Sequence, residues 1–436
     1  MPKLSRRAMA ILKYEDVKPL VYLRTECPAK NSLLQKVPEI HLLRQENGHR
    51  YVETTNGGKY GLRKFADFDA QWLGKEILKK EVLAKEDLDT IDLVFVQDAF
   101  NSFEDCSLLV TENNTLLSHR QAFQRKLSSP LNIMSMEEAA EFIDLTFKYN
   151  SKFFISSHVT TSKNSWYWYS FRLKVPHYNV DCVPSCLRKD SHLMIPELPK
   201  NSIMDGFSQR FCFLLTALDE MGFQNYSAAN NDTQARMLYH FNYFIMLMTG
   251  IFDCLAIQTM DKYKLTFYGS DNPSRISLNP SSGKEFLKAL REVNLPLRQH
   301  IQNNCALIKA PYLLRETVVH REGLSAMQVD DNGWQANLIM VSTEFVEYLK
   351  RLGDTNRTYV QITDFGIYGA HGDTLLDPFE FSKRIAGLLF VFCDKYLELM
   401  GYPNFIEQQI EQQPRDNPLG SFSGIIALFK DDNLGF

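Results

Sequence analysis

The sequence predicts an α+β fold, in which a mixed α/β region at the N-terminus is followed by a mainly α-helical bundle of four to five helices. In the first part of the chain, turn clusters such as QENGHRY and TTNGGKYG flank short candidate strands. From about residue 205 onward, long segments with helical spacing of apolar residues take their place. A composition of 44% hydrophobic and 23% charged residues is average for an ordered, soluble globular protein.

Two helices and one further strand are predicted in the N-terminal part. The segment WLGKEILKKEVLAKEDL at 72–88 has helical spacing and helix-forming composition. A second helix is predicted to begin with Ser135 as N-cap, because Glu138 follows three residues later and completes a capping box. The segment SWYWYSFRLKV at 165–175 alternates aromatic and polar residues, which predicts a strand that Pro176 ends.

The second part is divided into long helices by its turn residues. We predict helices at 207–221, 233–260, 284–321 with a break near Pro296, 334–352 and 378–400. The last has the most clearly marked ends, with Asp377 as N-cap and Gly401 at the C-terminal cap. The predicted domains are an α+β region at 1–200, whose role as a sensor or substrate-selecting domain is open, a helical bundle at 201–405 and a tail at 406–436.

Charge and cysteine content limit the class of protein. A formal net charge of −4 argues against coating nucleic acid through an overall positive field, so any such contact needs a local patch. The eight cysteines are scattered, and we expect free thiols in a reducing compartment.

The most apolar stretch, FNYFIMLMTGIFDCLAI at 241–257, is shorter than a membrane span and contains Asp253. The sequence therefore predicts a cytoplasmic protein that does not enter the membrane.

The stretch LLRETVVHREGLS at 313–325 holds the candidate catalytic residues Arg315 and His320. A histidine can exchange a proton with a ribose 2′-hydroxyl or a leaving 5′-oxygen, and a guanidinium stabilises charge that grows on a phosphate. The same spacing recurs in the pairs Arg44 and His49 and Arg172 and His177. Because those pairs are predicted to lie outside the bundle, the helical context distinguishes Arg315 and His320.

Helix geometry adds a condition to this site. Five residues at about 100° each place Arg315 and His320 roughly 140° apart around the helix axis, whereas Glu316 and His320 share a face. A joint site therefore needs Arg315 to reach round the helix, or a second copy of the helix across a two-fold axis. The alternative is a helix end without catalysis, in which His320 complements the helix dipole and Gly323 forms the cap.

The motif and the bundle together resemble the HEPN superfamily, in which an Arg, a polar residue, a short spacer and a His lie near the end of a bundle helix at a dimer interface. Here Arg315, Glu316 and His320 match that motif. The resemblance covers about 205–400 and implies a metal-independent endoribonuclease of defence or toxin–antitoxin systems, with RNA as substrate, no cofactor and a homodimer through the bundle. In such a site His320 is the general acid or base, Arg315 stabilises the phosphate charge and Glu316 orients His320.

Two positions depart from the pattern of this superfamily. Glu316 stands where Asn, Asp or His is usual. Glu322 stands where members paired with a nucleotidyltransferase antitoxin carry a Tyr, so regulation through that Tyr is not expected, and any regulatory protein or antitoxin is unknown. The alternative function is a non-enzymatic HEPN-like module that binds a partner, a nucleotide or RNA.

Two other groups of residues are candidates for a site. His177, Cys182, Cys186 and His192 are residue types that bind zinc, although their spacing is unlike that of the usual zinc motifs. A metal-dependent enzyme that uses them is a third hypothesis. The Gly-rich stretch GIYGAHGDTLLDPF at 366–379 holds His371, Asp373 and Asp377, and we predict a loop there that ends in the helix cap.

Overall fold

The computed structural model describes residues 20–24, 39–46, 49–53, 59–61, 75–80, 82, 107–126, 132–154, 160–178, 202–226, 230–320, 324, 326–331, 334–355, 365–370 and 373–404. Helices and strands alternate in the first part of the chain and helices dominate the second. The predicted α+β class is therefore confirmed.

A mixed sheet of six strands organises the N-terminal part. Its strands are β1 (Leu20–Arg24), β2 (Glu39–Glu46), β3 (His49–Glu53), β4 (Lys59–Gly61), β5 (Ser107–Val110) and β6 (Asn132–Met134), in the order β4-β3-β2-β1-β5-β6. β1 runs parallel to β2 and β5, and β5 runs parallel to β6. β2, β3 and β4 are antiparallel neighbours joined at the predicted turn clusters, with Glu46 paired to His49. The short predicted strands are thus confirmed.

Three helices and a small hairpin follow this sheet. They are α1 (Asn114–Lys126), α2 (Met136–Tyr149), the strands β7 (Phe153–Phe154) and β8 (Thr160–Thr161), and α3 (Lys163–Lys174). The predicted capping box of α2 is present, since the Ser135 hydroxyl accepts from the Glu138 N–H at 3.2 Å and the Glu138 carboxylate accepts from the Ser135 N–H at 2.9 Å. Of the helix predicted at 72–88, the structure describes 75–80 and 82, with helical residues at 75–78.

The prediction of a strand at 165–175 was wrong, because this segment forms helix α3. The Ser162 hydroxyl caps the helix by accepting from the Ser165 N–H at 3.3 Å. The buried residues Trp166, Tyr167, Ser170 and Phe171 recur three and four positions apart, which is the helical spacing of one buried face. Four consecutive aromatic residues at 166–169 hid this spacing, since such a run fits a strand and a helix equally well.

Seven helices occupy the part of 202–404 that the structure describes. They are α4 (Ser202–Tyr226), α5 (Asn231–Tyr263), α6 (Lys284–Val293), α7 (Leu295–Asn303), α8 (Cys305–His320), α9 (Thr343–Thr355) and α10 (Pro378–Leu399). The predicted helix at 284–321 is three consecutive helices. Asn294 caps α7 by accepting from the Leu297 N–H at 3.0 Å, and Pro296 occupies its first turn. The predicted interruption at Pro296 is therefore confirmed, and a further break at Asn304 was not predicted.

The prediction of one helix at 334–352 was wrong in its first half, because β10 (Trp334–Met340) pairs antiparallel with β9 (Ala326–Asp331). Trp334 pairs with Asp331 on either side of an Asn-Gly dipeptide, a common signature of a tight hairpin. The stretch at 366–379 also contains a hairpin, β11 (Ile367–Ala370) and β12 (Asp373–Leu376), instead of a loop alone. These four strands form a second sheet in the order β11-β12-β10-β9.

Helix α10 has the predicted ends. The Asp377 carboxylate accepts from the N–H groups of Phe379 and Glu380 at 2.9 and 3.1 Å, and Gly401 has a φ of +82°, as a left-handed cap requires. The cap also accounts for Asp377 without a metal or a catalytic role.

One hydrophobic core includes residues from both parts of the chain. Phe211 of α4 stacks on Phe171 of α3 and on Phe390 of α10, each at 5.0 Å between ring centroids. The predicted boundary near residue 200 falls at 179–201, outside the described residues, and stays a prediction.

Helix α5 contains the apolar stretch at 241–257, which was predicted to lie in the protein core and not in a membrane. Within the described residues it is the one helix that length and composition would allow to cross a membrane, and 61% of its most apolar window is buried inside the protein. Phe244, Met248 and Phe252 on its inner face are fully buried. The burial accounts for the apolar sequence through packing.

Candidate functional site

Helix α8 carries the predicted motif on its last two turns. Arg315 and Glu316 lie within the helix, and His320 is its final residue. Leu314 beside the motif is buried in the core, whereas Glu316 is exposed and the Arg315 side chain is 37% exposed. The side chain of His320 and residues 321–323, which include the predicted cap at Gly323, lie outside what the structure describes. The structure thus gives the surroundings of Arg315 and Glu316 and the backbone position of His320.

Asp253 of α5 and Tyr312 of α8 are the neighbours of Arg315. The Tyr312 hydroxyl donates to Oδ1 of Asp253 at 2.6 Å, and a guanidinium nitrogen of Arg315 lies 3.8 Å from Oδ2 of the same carboxylate. The Arg315 guanidinium carbon is 6.0 Å from the centroid of the Tyr312 ring. Because the ion pair is long and both side chains are partly exposed, it contributes about 0–1 kcal/mol and leaves the guanidinium accessible to an anion.

Burial and the neighbouring groups shift the pKa of the Asp253 carboxyl in opposite directions. Burial raises its pKa above the ordinary range, while the hydrogen bond from Tyr312 and the positive charges of Arg315 and Arg210 oppose the rise. Burial and the Asp253 charge likewise raise the pKa of Tyr312, so its hydroxyl stays protonated and remains a donor. This arrangement connects α5 to α8 at the level of Arg315.

Arg210 of α4 adds a second guanidinium near Asp253. Its Nη1 donates to the Cys254 sulfur at 3.4 Å. Gly250 makes room for it, since a Cβ at that position would lie 2.8 Å from Nε of Arg210. No sequence motif marks Arg210 or Asp253 as site residues, because their proximity to Arg315 depends on how α4, α5 and α8 pack.

A polar cavity of about 440 Å³ opens beside Arg315. Its lining from α8 consists of Lys309, Tyr312, Leu313, Arg315 and Glu316; that from α9 consists of Glu344 and Tyr348; and the segment between α5 and α6 adds Asn279 and Ser281. This volume falls within the usual range of small-molecule sites. Arg315 and Glu316 are therefore brought together at a cavity that combines cations, carboxylates and tyrosine rings.

The cavity wall is fixed by contacts between α8 and α9. The Lys309 ammonium donates to the Tyr348 hydroxyl at 3.3 Å, and the Arg351 guanidinium carbon lies 5.4 Å from the Tyr348 ring centroid. On the α5 side, the Tyr312 ring stacks on Phe252 with 6.4 Å between centroids. Both tyrosine rings are thus held in place before any ligand binds.

The alternative sites predicted from sequence are placed only in part. His177 is engaged with Asp394, which accepts from its backbone N–H and contacts its Nδ1, both at 2.9 Å. Cys182, Cys186, His192 and His371 lie outside the described residues, as does the side chain of Asp373. Among the residues that can be described, no three His, Cys, Asp or Glu side chains are grouped to hold a metal. The four described cysteines, Cys212, Cys254, Cys305 and Cys393, are free thiols.

The other two Arg–His pairs differ from the motif on α8. Arg172 is buried with its guanidinium carbon 5.2 Å from the Tyr178 ring centroid, and its partner His177 contacts Asp394. Arg44 and His49 lie on the adjacent strands β2 and β3. Neither pair lies on α4 to α10, and the cavity beside Arg315 is lined by neither.

The chain was compared with known protein families and structures. No family model, curated protein or solved structure matches it. The functional argument therefore rests on the residues around Arg315.

Proposed function

We propose that this protein is a metal-independent endoribonuclease of HEPN type, acting in the cytoplasm in defence or as a toxin. The observation that carries the proposal is the accessible Arg315 guanidinium, which lies at a polar cavity five residues before the His320 that ends the same helix. Arg315 is the residue type that stabilises phosphate charge, and its ion pair with Asp253 is long, at 3.8 Å.

The proposed reaction needs two proton transfers and one charge stabiliser. His320 takes the proton from a ribose 2′-hydroxyl as that oxygen attacks the phosphorus, and a protonated imidazole supplies the proton to the departing 5′-oxygen. The bond from phosphorus to the 2′-oxygen forms and the bond to the 5′-oxygen breaks, so the products carry a 2′,3′-cyclic phosphate and a 5′-hydroxyl. Arg315 stabilises the charge on the phosphate oxygens, and Glu316, one turn before His320, orients the imidazole.

A homodimer completes this proposal. Positions 315 and 320 lie roughly 140° apart around the axis of one helix, so two copies of α8 related by a two-fold axis would bring an Arg from one protomer towards a His from its partner. Mixing Arg315→Ala protein with His320→Ala protein tests this arrangement. Partial recovery of cleavage by the mixture supports a shared centre, and no recovery after subunit exchange contradicts it.

A second function is favoured by the cavity itself, namely a nucleotide-binding or RNA-binding module without cleavage. Two tyrosines and two cations, Lys309 and Arg315, line one cavity and suit the bases and phosphates of a nucleotide. In this function Arg315 binds phosphate and His320 only ends a helix.

Incubation of the protein with single-stranded RNA in excess chelator separates these functions. We expect cleavage that falls at least about 100-fold in Arg315→Ala and in His320→Ala, because general acid–base catalysis contributes on this order. Arg291→Ala is the matched control, since Arg291 is an exposed arginine of α6 and lies away from the cavity lining.

Each remaining outcome favours a different function. Cleavage that persists in both variants contradicts the endoribonuclease proposal. RNA binding without cleavage in any form supports the binding module. Cleavage that appears only after zinc is added moves the activity to the set of Cys182, Cys186, His177 and His192. Circular dichroism of each variant confirms that the fold is retained.

A further inference from the structure

The residues of α8 that line the cavity are regularly spaced along the helix. Lys309, Tyr312, Leu313 and Glu316 are spaced by three and four residues, so they form one stripe along the helix, and Arg315 lies at its edge. The stripe therefore has the Lys309 cation at one end and the Glu316 carboxylate at the other, with Arg315 beside Glu316 and with aromatic and apolar surface between the two ends. A nucleotide has the matching sequence of groups, with an aromatic base beside an anionic phosphate.

Helix α9 supplies the opposite wall with a ring and a carboxylate. Glu344 and Tyr348 are four residues apart, so they share one face of α9, and both line the cavity. Glu344 lies one helical turn, about 5.4 Å, before Tyr348, which is a short enough separation for one base to contact both side chains. Aromatic side chains of this kind are the usual platform for unstacked bases of single-stranded RNA.

The carboxylate determines which base edge fits. An ionised Glu accepts hydrogen bonds at both oxygens and donates none. Guanine presents two adjacent donors on its Watson–Crick edge, N1–H and the N2 amino group, and so matches both oxygens at once. Adenine places an acceptor next to its amino group, and uracil places acceptors on both sides of its one N–H, so each brings an acceptor against the carboxylate.

We propose that this cavity is a guanine subsite for single-stranded RNA, in which the base stacks on Tyr348 and donates N1–H and N2–H to Glu344. Lys309 and Arg315 face the adjacent phosphates. The subsite rests on the proposed function for the identity of the polymer, and its base preference is measured by binding alone. It assigns Glu344 and Tyr348 to specificity, whereas Arg315 and His320 act on the phosphate.

Binding of mononucleotides to the full chain tests the base preference. We expect GMP to bind about tenfold or more tightly than AMP, which is the discrimination that a good bidentate pair provides. IMP lacks the N2 amino group and should bind with an affinity between the two. Isothermal titration calorimetry measures all three affinities.

Two matched substitutions on α9 locate the preference. Glu344→Gln should reduce the difference between GMP and AMP to within about twofold, because the amide can donate as well as accept. Glu347→Gln changes the same residue type one helix face away, where Glu347 pairs with Lys350 at 2.6 Å on the surface, and it should keep the preference. Tyr348→Leu should weaken GMP and AMP by similar factors.

An RNA arm distinguishes a polymer from a free nucleotide. In the His320→Ala protein, for which the proposed function predicts binding without cleavage, a short uridine-rich RNA with one guanine should bind more tightly than the same RNA with one adenine. If GMP binds and neither RNA does, the site serves free nucleotides and the RNA subsite is overturned. Equal affinity for GMP and AMP, or a preference that persists in Glu344→Gln, also overturns it.

The outcomes separate this inference from the endoribonuclease proposal. Guanine preference in a protein that never cleaves RNA keeps the subsite and removes the enzyme. Cleavage that depends on Arg315 and His320, without any guanine preference, keeps the enzyme and removes the subsite.

Discussion

Tyr312 donates a hydrogen bond of 2.6 Å to Asp253, and this contact joins α8 to α5 beside Arg315. The two residues are far apart in sequence and become neighbours only through helix packing. The Asp253 carboxylate, which contacts both Tyr312 and Arg315, is partly buried, and burial raises its pKa. A change at Tyr312 therefore tests how the site is anchored to the bundle.

We expect Tyr312→Phe to lower the free energy of unfolding by about 1–2 kcal/mol, because Asp253 loses its hydroxyl donor while the ring and its stacking on Phe252 remain. The pKa of Asp253 should rise further, since the lost hydrogen bond is one of the groups that lower it. Urea denaturation measures the stability. The control is Tyr239→Phe on the surface of α5, where the side chain is 67% exposed and the change should be within about 0.5 kcal/mol. Equal losses in both variants would contradict the anchoring role.

Local chemistry was predictable from the sequence where it depends on neighbouring residues. The caps at Ser135 and Asp377 and the break near Pro296 follow from side chains that bond their own backbone or lack an N–H. The segment at 165–175 was predicted wrongly, because the pattern of its aromatic residues fits either period and tertiary burial on α4 decides between them.

The candidate site was predictable only on α8. Arg315 and Glu316 follow from the motif, whereas Asp253 and Arg210 enter through the packing of α5 and α4 against α8. Glu344 and Tyr348 were hidden by the prediction of one helix at 334–352. The strand β10 displaces the start of α9 to Thr343, and the packing of α9 against α8 places Glu344 and Tyr348 at the cavity.

Gly366 lies directly before β11 and beside the start of α10, and its conformation requires glycine. Its φ is +69°, and an added Cβ would lie 2.9 Å from the Cβ atoms of Asp377 and Glu380. We expect Gly366→Ala to destabilise the protein by about 1–3 kcal/mol, because the backbone strain and the close contact add.

Gly387 provides the matched comparison for Gly366. It lies in the exposed middle of α10, where an added Cβ meets nothing within 4 Å. Gly387→Ala should stabilise the protein by about 0.5–1 kcal/mol, since alanine favours the helix and restricts the unfolded chain. Thermal denaturation of the two variants should shift the melting temperature in opposite directions. A shift in the same direction would contradict the assigned backbone conformation of Gly366.

Glu380 should make the stability of the protein depend on pH. Burial raises its pKa from 4.5 to about 7, the nearby carboxylates Asp377 and Glu141 add to the rise, and Lys383 opposes it. The folded protein therefore keeps this proton between pH 4.5 and 7 while the unfolded chain loses it, so this contribution to stability is complete below pH 4.5 and declines as pH rises to 7.

We expect Glu380→Gln to be more stable than the parent protein by about 1–3 kcal/mol at pH 8 and to differ little at pH 4, because the amide carries no charge to bury. Urea titrations at several pH values measure the difference. Glu285→Gln on exposed α6 is the control and should follow the parent profile. A gain of the same size at pH 4 and at pH 8 would show that shape, and not ionisation, is responsible.

Lys148 is the cation of a buried cluster between α2, α3 and α4. Its ammonium lies 2.6 Å from Oδ2 of Asp144, 3.2 Å from Oδ2 of Asp219 and 3.9 Å from the Trp166 ring centroid. Tyr167 donates to the same Oδ2 of Asp219 at 2.7 Å. Burial acts to lower the pKa of Lys148, and the two carboxylates raise it above its ordinary value, so the lysine stays charged.

We expect Lys148→Met to lower the free energy of unfolding by about 3–5 kcal/mol at pH 7, because it leaves two carboxylates without a buried cation. The loss should shrink as the pH is lowered, since burial raises the pKa of Asp219 and protonation removes the charge of that carboxylate. The double variant Lys148→Met with Asp219→Asn should recover part of the loss, because removing the charge on Asp219 removes part of the repulsion. Additive losses in the double variant would mean that Lys148 acts through packing on Trp166 and not through its charge.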